Sequence, residues 1–268
     1  MRCAETYAKA NAWRASYSLG STAKAESDKL SQSVAVDVVL KKPMKFRQAS
    51  QGAGLMGISL DTVIICDGEN TYTYVASLRQ ALQEIAPKDL VGLAADLAPE
   101  MPERVSEPAL MAGIDPLKTI SSVTLIGTET VNGHECYVLD LTYGEEQEGT
   151  PEGVLRKGEE HPQKSAVFQA RSGSQRLWIG TQDYLIWKQR LDMTGSSRSV
   201  ATNVFGGGAE SSGLAGSLSA AFVMNYSEVH LDENIPDSWF VFTLPQGAKL
   251  VGHLDLRSLL EDIIGSTE

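Results

Sequence analysis

Val63-Ile-Ile-Cys-Asp-Gly-Glu-Asn-Thr-Tyr-Thr-Tyr74 reads as a β-hairpin. The run 62–66 is continuously apolar and β-branched, which suits a strand buried in a sheet. Asp67-Gly68 supplies residues that tolerate the positive φ of a two-residue hairpin turn, and 71–75 is the returning strand. Alternation then places Tyr72 and Tyr74 on one face. Two further stretches share this grammar of strand and tight turn. In Leu40-Lys-Lys-Pro-Met-Lys-Phe46, the alternating Val34, Val36, Val38 and Leu40 end at Pro43, and a new strand starts over 45–49. In Phe240-Val-Phe-Thr-Leu-Pro-Gln-Gly-Ala-Lys-Leu-Val251, a strand over 239–244 closes the β pattern before Pro245.

Working outward, Asn132-Gly133 joins strands over 119–129 and 134–143 by the strongest short hairpin signal. Strands follow over 166–170, 175–180 and 185–193, the last two linked through 181–184, and another covers 220–231. The period changes in the middle of the chain. Leu78, Ala81, Leu82 and Ile85 keep helical spacing up to Pro87, and Leu90, Leu93, Ala94 and Leu97 do so before Pro99. Two short amphipathic helices are expected, over 78–86 and 89–98. An Ala-rich helix over 3–13 opens the chain, and Leu256, Leu259, Leu260, Ile263 and Ile264 form an amphipathic stripe at its end. Segments 144–164, polar and acidic, and 195–216, rich in Ser and Gly, read as loop insertions. About ten strands with a few grouped helices give an α+β fold, one antiparallel sheet with helices on one face. The expected organisation is a single domain over 1–251 and an amphipathic helix or linker over 252–268.

The 268 residues carry a net charge of −11, which repels nucleic-acid phosphates and anionic lipid surfaces. No run reaches the ~18 apolar residues that read as a membrane span, and residues 1–12 lack the apolar core of a signal peptide. Either the protein is cytoplasmic or it is exported by a signal lying outside this sequence. Cys3, Cys66 and Cys136 show no C-x-x-C spacing. Cys66 and Cys136 read as small buried hydrophobes or as a disulfide pair, and Cys3 is a candidate lipid-anchor position without the preceding lipobox.

The three opening stretches, in their order, resemble bacterial outer-membrane lipoprotein carriers and lipoprotein-sorting proteins, the LolA-like superfamily. The match runs from the strand ending in Lys42-Pro43 and Phe46, through Asp67-Gly68 with Tyr72 and Tyr74, to Phe240-Val-Phe-Thr-Leu-Pro-Gln-Gly247. Arg176-Leu-Trp-Ile179 with Leu185-Ile-Trp-Lys188 is similar to the family's late hairpin. Lys42 stands where the carriers usually have Arg. The resemblance implies a half-open β-barrel, a strongly curved antiparallel sheet whose apolar concave face is covered by helices that act as a lid. It implies an extracytoplasmic, periplasmic carrier or sensor that binds a lipid or lipoprotein acyl chain without catalysis, with membrane-associated donor or acceptor proteins as partners.

Strand parity nominates Tyr72, Tyr74, Leu139, Leu141, Leu177, Ile179, Trp187, Met224, Tyr226, Phe240 and Phe242 for the concave face, as cavity lining or as ordinary core. Leu82, Ile85, Leu90, Leu93, Ala94 and Leu97 are the lid candidates, and Lys42 and Arg47 are candidates for steadying the lid or meeting a headgroup. No nucleophile elbow, Walker loop or H-E-x-x-H is present. His134, His161, His230 and His253 have no ligand-like spacing, so neither a catalytic residue, a metal nor a cofactor is expected. The other class of function open to such a sheet is a protein-interaction module using its face or edge, within a larger multidomain protein.

Overall fold

The computed structural model describes residues 2–25, 28–52, 61–97, 104–143, 167–198 and 217–255. One large curved, non-closed sheet of twelve strands dominates it. The strands are β1 (Ala12–Ala25), β2 (Asp28–Lys41), β3 (Lys45–Gly52), β4 (Thr62–Cys66), β5 (Asn70–Val75), β6 (Gln80–Ile85), β7 (Ile120–Val131), β8 (His134–Tyr143), β9 (Val167–Gly180), β10 (Ile186–Arg198), β11 (Ser217–Leu231) and β12 (Lys249–Val251). The helices are α1 (Arg2–Lys9), α2 (Leu90–Leu97) and α3 (Glu107–Met111). The expected α+β half-barrel is what the chain forms.

Spatial order explains where everything else must go. The sheet runs β12-β6-β5-β4-β3-β2-β1-β11-β10-β9-β8-β7, antiparallel throughout except for the short parallel pair β12–β6. The chain therefore meanders outward from β1 to β6, crosses to the far edge at β7, and meanders back until β11 pairs with β1. The crossing carries α2 and α3. After β11 the chain crosses again, to lay β12 beside β6.

The two crossings lie on opposite faces. On β2 to β4, Leu40, Phe46 and Cys66 are paired neighbours and belong to the main core with Leu90 and Leu93 of α2 and Leu110 and Met111 of α3. One residue away, Val39 packs in a separate small cluster with Ala12, Ile235 and Phe240. The period of two converts that offset into opposite faces, an inner face under the helices and an outer face under residues 232–248.

Several elements differ from the sequence reading. Residues 78–86 contain strand β6, not a helix. The chain turns at 76–79, with Arg79 at φ 51°, and β6 then pairs with β5 on one side and β12 on the other. Ladder bonds to two neighbours outweigh a helical spacing of only four apolar residues. Helix α1 stops at Lys9, and residues 12–25 form β1, where Trp13, Ala15, Tyr17 and Leu19 alternate. Residues 167–170 and 175–180 belong to one strand, β9, and residue 166 lies outside the described residues. The first hairpin turns on Gly68-Glu69 rather than Asp67-Gly68: Gly68 has φ 103°, and the Asp67 carboxylate accepts from the N–H groups of Glu69 and Asn70, both at 2.8 Å. Residues 239–244 are not a strand, because a single 3₁₀ turn over Asp237–Phe240 begins after Pro236 and Pro245 ends the segment. The Ser/Gly segment starts later than expected, since β10 continues to Arg198. Segment 144–164, residues 199–216 and the stripe from Leu256 to Ile264 lie outside the described residues.

The outer crossing is pinned by charge. Asp237 accepts from Lys41 Nζ at 2.7 Å and lies 2.8 Å from Lys45 Nζ, and Lys41 also reaches the Ile235 carbonyl at 2.9 Å. The hydrogen bond from Lys41, seconded by Lys45, holds the Asp237 carboxyl down to about 2. A depressed carboxyl contributes stability above the usual aspartate range, and that contribution is lost as pH falls through about 2. Asp237→Asn is therefore expected to be less stable than the parent at neutral pH and equal to it in strong acid, as followed by thermal melts across the acid range. A difference that stays constant with pH would assign the effect to packing. The pair is exposed, so the effect is small.

Candidate functional site

Each helix of the cover presents a short apolar face to the sheet. Tyr7 of α1, Leu90, Leu93 and Ala94 of α2, and Ala109, Leu110 and Met111 of α3 are all buried. Between this cover and the sheet lies a cavity of about 130 Å³. From the sheet it is lined by Trp13, Tyr17, Val38, Phe46, Gln48, Gln175, Gln189, Leu191, Phe222, Met224 and Tyr226, and from the cover by Ala94 and residues 104–108. Registry accounts for this lining. Met224 faces Leu19 and Gln189, Gln189 faces Leu177, and Leu191 lies between Gln175 and Phe222. These residues share one face, the inner one.

One wall of the cavity is polar and buried. Glu107, at the start of α3, is only 3% exposed. Gln189 Nε2 donates to its two carboxylate oxygens at 2.9 and 3.1 Å and to the Tyr226 hydroxyl at 2.6 Å. Gln175 Nε2 donates to Gln189 Oε1 at 3.1 Å and to the Val105 carbonyl at 2.8 Å, and the Tyr143 hydroxyl donates to Gln175 Oε1. The network ties α3 and the residue before its N-cap to β8, β9, β10 and β11. Burial pushes the Glu107 carboxyl up from its ordinary value, opposed by hydrogen bonds from Tyr226, its own backbone and Gln189. Burial likewise raises the hydroxyls of Tyr226, Tyr17 and Tyr7, with the Glu107 charge second.

No family model and no curated protein matches the chain. Solved structures are similar to it. The lipoprotein LppX of Mycobacterium tuberculosis is 11% identical, with 88% of this chain and 94% of that chain covered and a TM-score of 0.43. LprF of Mycobacterium bovis is 10% identical over 92% and 94% of the two chains, with a TM-score of 0.39. A LolA superfamily protein of Nitrosomonas europaea is 13% identical over 90% and 96%, with a TM-score of 0.28.

The nominated residues fall into several groups. Met224, Tyr226 and Ala94 line the cavity. Leu139, Leu141, Leu177 and Ile179 share the inner face by register but lie beyond its lining. Leu90 and Leu93 are core residues under α2, and the side chain of Leu97 is outside the described set. Trp187 sits at a bulge of β10, stacked 3.5 Å from His134 with its indole N–H donating to Asp183 at 3.1 Å, away from the cavity.

Four nominated cavity residues are corrected to the outer face. Tyr72 pairs with Ile65, which pairs with Arg47 and through it with Val39, and its ring stacks on Phe242 at 4.7 Å. Tyr74 shares its parity, and Phe240 belongs to the outer cluster. The hairpin signal gave their common face but not which face the helices cover. Leu82 and Ile85 are corrected from lid to strand: Leu82 is half-buried beside Thr73, and Ile85 is 86% exposed. Arg47 lies on the outer face between Val39 and Ile65. Lys42 donates from Nζ to the Ala8 carbonyl at 2.7 Å, at the C-terminal end of α1, where a cation complements the helix dipole.

Cys3 is half-buried on α1 against the core, and burial pushes its thiol up to about 12. Cys66 and Cys136 are buried free thiols.

Proposed function

We propose that the protein is an extracytoplasmic, non-catalytic carrier or sensor that holds a lipid or lipoprotein acyl chain between the inner face of the sheet and its helical cover, exchanging it with membrane-associated partners. The observation that carries this reading is the cavity itself: a mainly apolar space roofed by two short helices on a single crossing segment. Its 130 Å³ falls short of the roughly 300–1,000 Å³ of ordinary ligand pockets. An acyl chain enters by displacing α2 and α3, and each methylene it buries contributes about 0.8 kcal/mol against the lost packing of the cover. Residues 1–251 act as the binding domain.

The test is native mass spectrometry of gently purified protein with lipid extraction, followed by titration with a fluorescent fatty acyl probe. A co-purified acyl lipid and saturable uptake are the expected results. Ala94→Trp, which projects an indole into the cavity from α2, is expected to weaken uptake about tenfold or more; unchanged affinity would count against α2 as the lid. A second reading, a protein-interaction module, is favoured by the β7 edge, where Val123, Leu125 and Ile126 are each about half or more exposed. A lipid-free mass with no uptake of the probe would favour it.

A further inference from the structure

The two ends of the sheet are finished differently. At one end β6 is flanked by β12. At the other, β7 pairs with β8 alone, so among the described residues no strand lies along its outer side. A bare edge is a template for another strand, and proteins blunt such edges with charge, proline or bulges. Residues 119–128 hold neither a charged residue nor a proline. Bulges are present, one at Ile120/Ser122 and one at Leu125/Gly127. Between them Ser122 to Leu125 pairs regularly with Thr142 to Leu139, which leaves an unbroken stretch in the middle of the edge. Within it Val123 is 48% and Leu125 60% exposed, although each stands beside an inner-face leucine of β8.

The pattern along this stretch is complementary to itself. Antiparallel pairing with the β7 of a second copy, about a twofold axis through Thr124, sets each Val123 opposite the partner's Leu125 and each Ser122 opposite the partner's Ile126. The Val–Leu pairs fall on the inner face, where they carry the row of Leu139 and Leu141 from one copy into the other. Glu129 is the charged side chain of β7. In the same register it stands opposite the partner's Thr119 and beside the partner's Lys118, so it meets a cation and not its own copy. Both Glu129 and Lys118 are exposed. A chain of net charge −11 repels its copies over most of its surface, and an uncharged edge is a place where two of them can meet.

We propose that β7 is the seam of a homodimer, in which the two edges pair antiparallel about Thr124 and join both sheets into one. The proposal deepens the interaction reading above by naming the partner, and it does not depend on what the cavity holds. One strand from each copy is less than the roughly 20–30 residues a side of a standard interface, so the dimer is a weak one that exchanges with monomer.

The experiment is sedimentation velocity of the full chain over a wide range of concentration, where the parent is expected to shift from monomer to dimer. Thr124→Lys and Thr124→Glu each set like charges face to face on the axis, and each is expected to raise the dissociation constant about tenfold or more. Mixed in equal amounts, the two variants are expected to regain the dimer, because opposite charges then face each other. Thr124 is exposed, and matching thermal melts check that both variants fold. Thr124→Cys gives a second readout: a disulfide-linked dimer on mild oxidation, since directly opposed residues of an antiparallel pair lie within disulfide reach. A parent that stays monomeric at every concentration, a dimer indifferent to both charge substitutions, or charge variants that do not recover on mixing would overturn the proposal. A monomeric parent that is also lipid-free would keep the interaction reading, with a foreign chain as the partner. A monomeric parent that takes up the acyl probe would remove both.

Discussion

Tyr7→Ala is expected to lower stability by about 3–5 kcal/mol in urea denaturation at neutral pH. Tyr7 is 0% exposed although it stands on a helix of eight residues at the start of the chain. A helix that short has little stability of its own, so it holds its place through what it buries. The ring joins the main core, and its hydroxyl accepts the backbone N–H of Ile186 at 3.1 Å. That N–H lies at the bulge where β10 leaves its register with β9, and Ile186 is itself fully buried. Tyr7→Phe separates the two contributions. It keeps the ring and strands a buried donor, with an expected cost of about 1–3 kcal/mol. A Phe variant as stable as the parent would show that the hydroxyl bond contributes nothing. The local consequence is readable at Cys3, whose thiol is covered by the same docking. Alkylation of Cys3, mapped by mass spectrometry, is expected to accelerate in Tyr7→Ala before Cys66 and Cys136 react.

Gln189→Leu is the second large effect, roughly 2–5 kcal/mol at neutral to mildly alkaline pH. Leucine fits the apolar neighbours but withdraws the donor to Glu107, the donor to Tyr226 and the acceptor of Gln175 together. The cost depends on pH because Glu107 titrates. Burial raises its carboxyl above the unfolded value, so the native state holds more protons than the unfolded state between the two values. Stability therefore falls as pH rises from the ordinary carboxylate range through the raised one, and is level on either side. The other titratable groups around it, Tyr226, Tyr17, Tyr7 and Cys3, are all pushed upward and stay protonated in that window. Arg104, which shares the cavity, stays charged throughout. Gln189→Leu removes a bond that favours the ionised form, so its cost is expected to shrink in acid. Glu107→Gln is expected to abolish the slope, matching the parent in acid and exceeding it above the window. Melting temperatures from about pH 4 to pH 9 decide the matter. An unchanged slope in Glu107→Gln would assign the pH dependence to another group.

Most of the sheet was legible from alternation and turns. Asn132-Gly133 sits with both residues at positive φ between paired Val131 and His134, as the dipeptide requires. The hairpin 62–75 also stands, moved by one residue at its turn. What the sequence did not carry was which face each strand turns inward. Tyr72 and Tyr74 read like lining residues, yet the inner face at that hairpin belongs to Cys66, Ile64 and Thr71. That choice is made by where the two crossings pass, which is a property of the whole topology. The polar wall was hidden for a different reason. Gln175 and Gln189 alternate with Leu177 and Leu191 on their strands, but a lone glutamine reads as solvent-exposed until its partners on other elements are known. Trp13 and Tyr17 had a visible signal, the period of two from Trp13 to Leu19, masked by an Ala-rich opening that suggested a longer helix.

The inner crossing leaves the sheet at β6, next to one edge, and rejoins it at β7, the other edge. In mechanical terms the sheet is a bow and the segment with α2 and α3 is its string. Both ends of that string are fastened to strands of one sheet, so if the cover lifts as proposed, the curvature of the sheet sets the span it has to bridge.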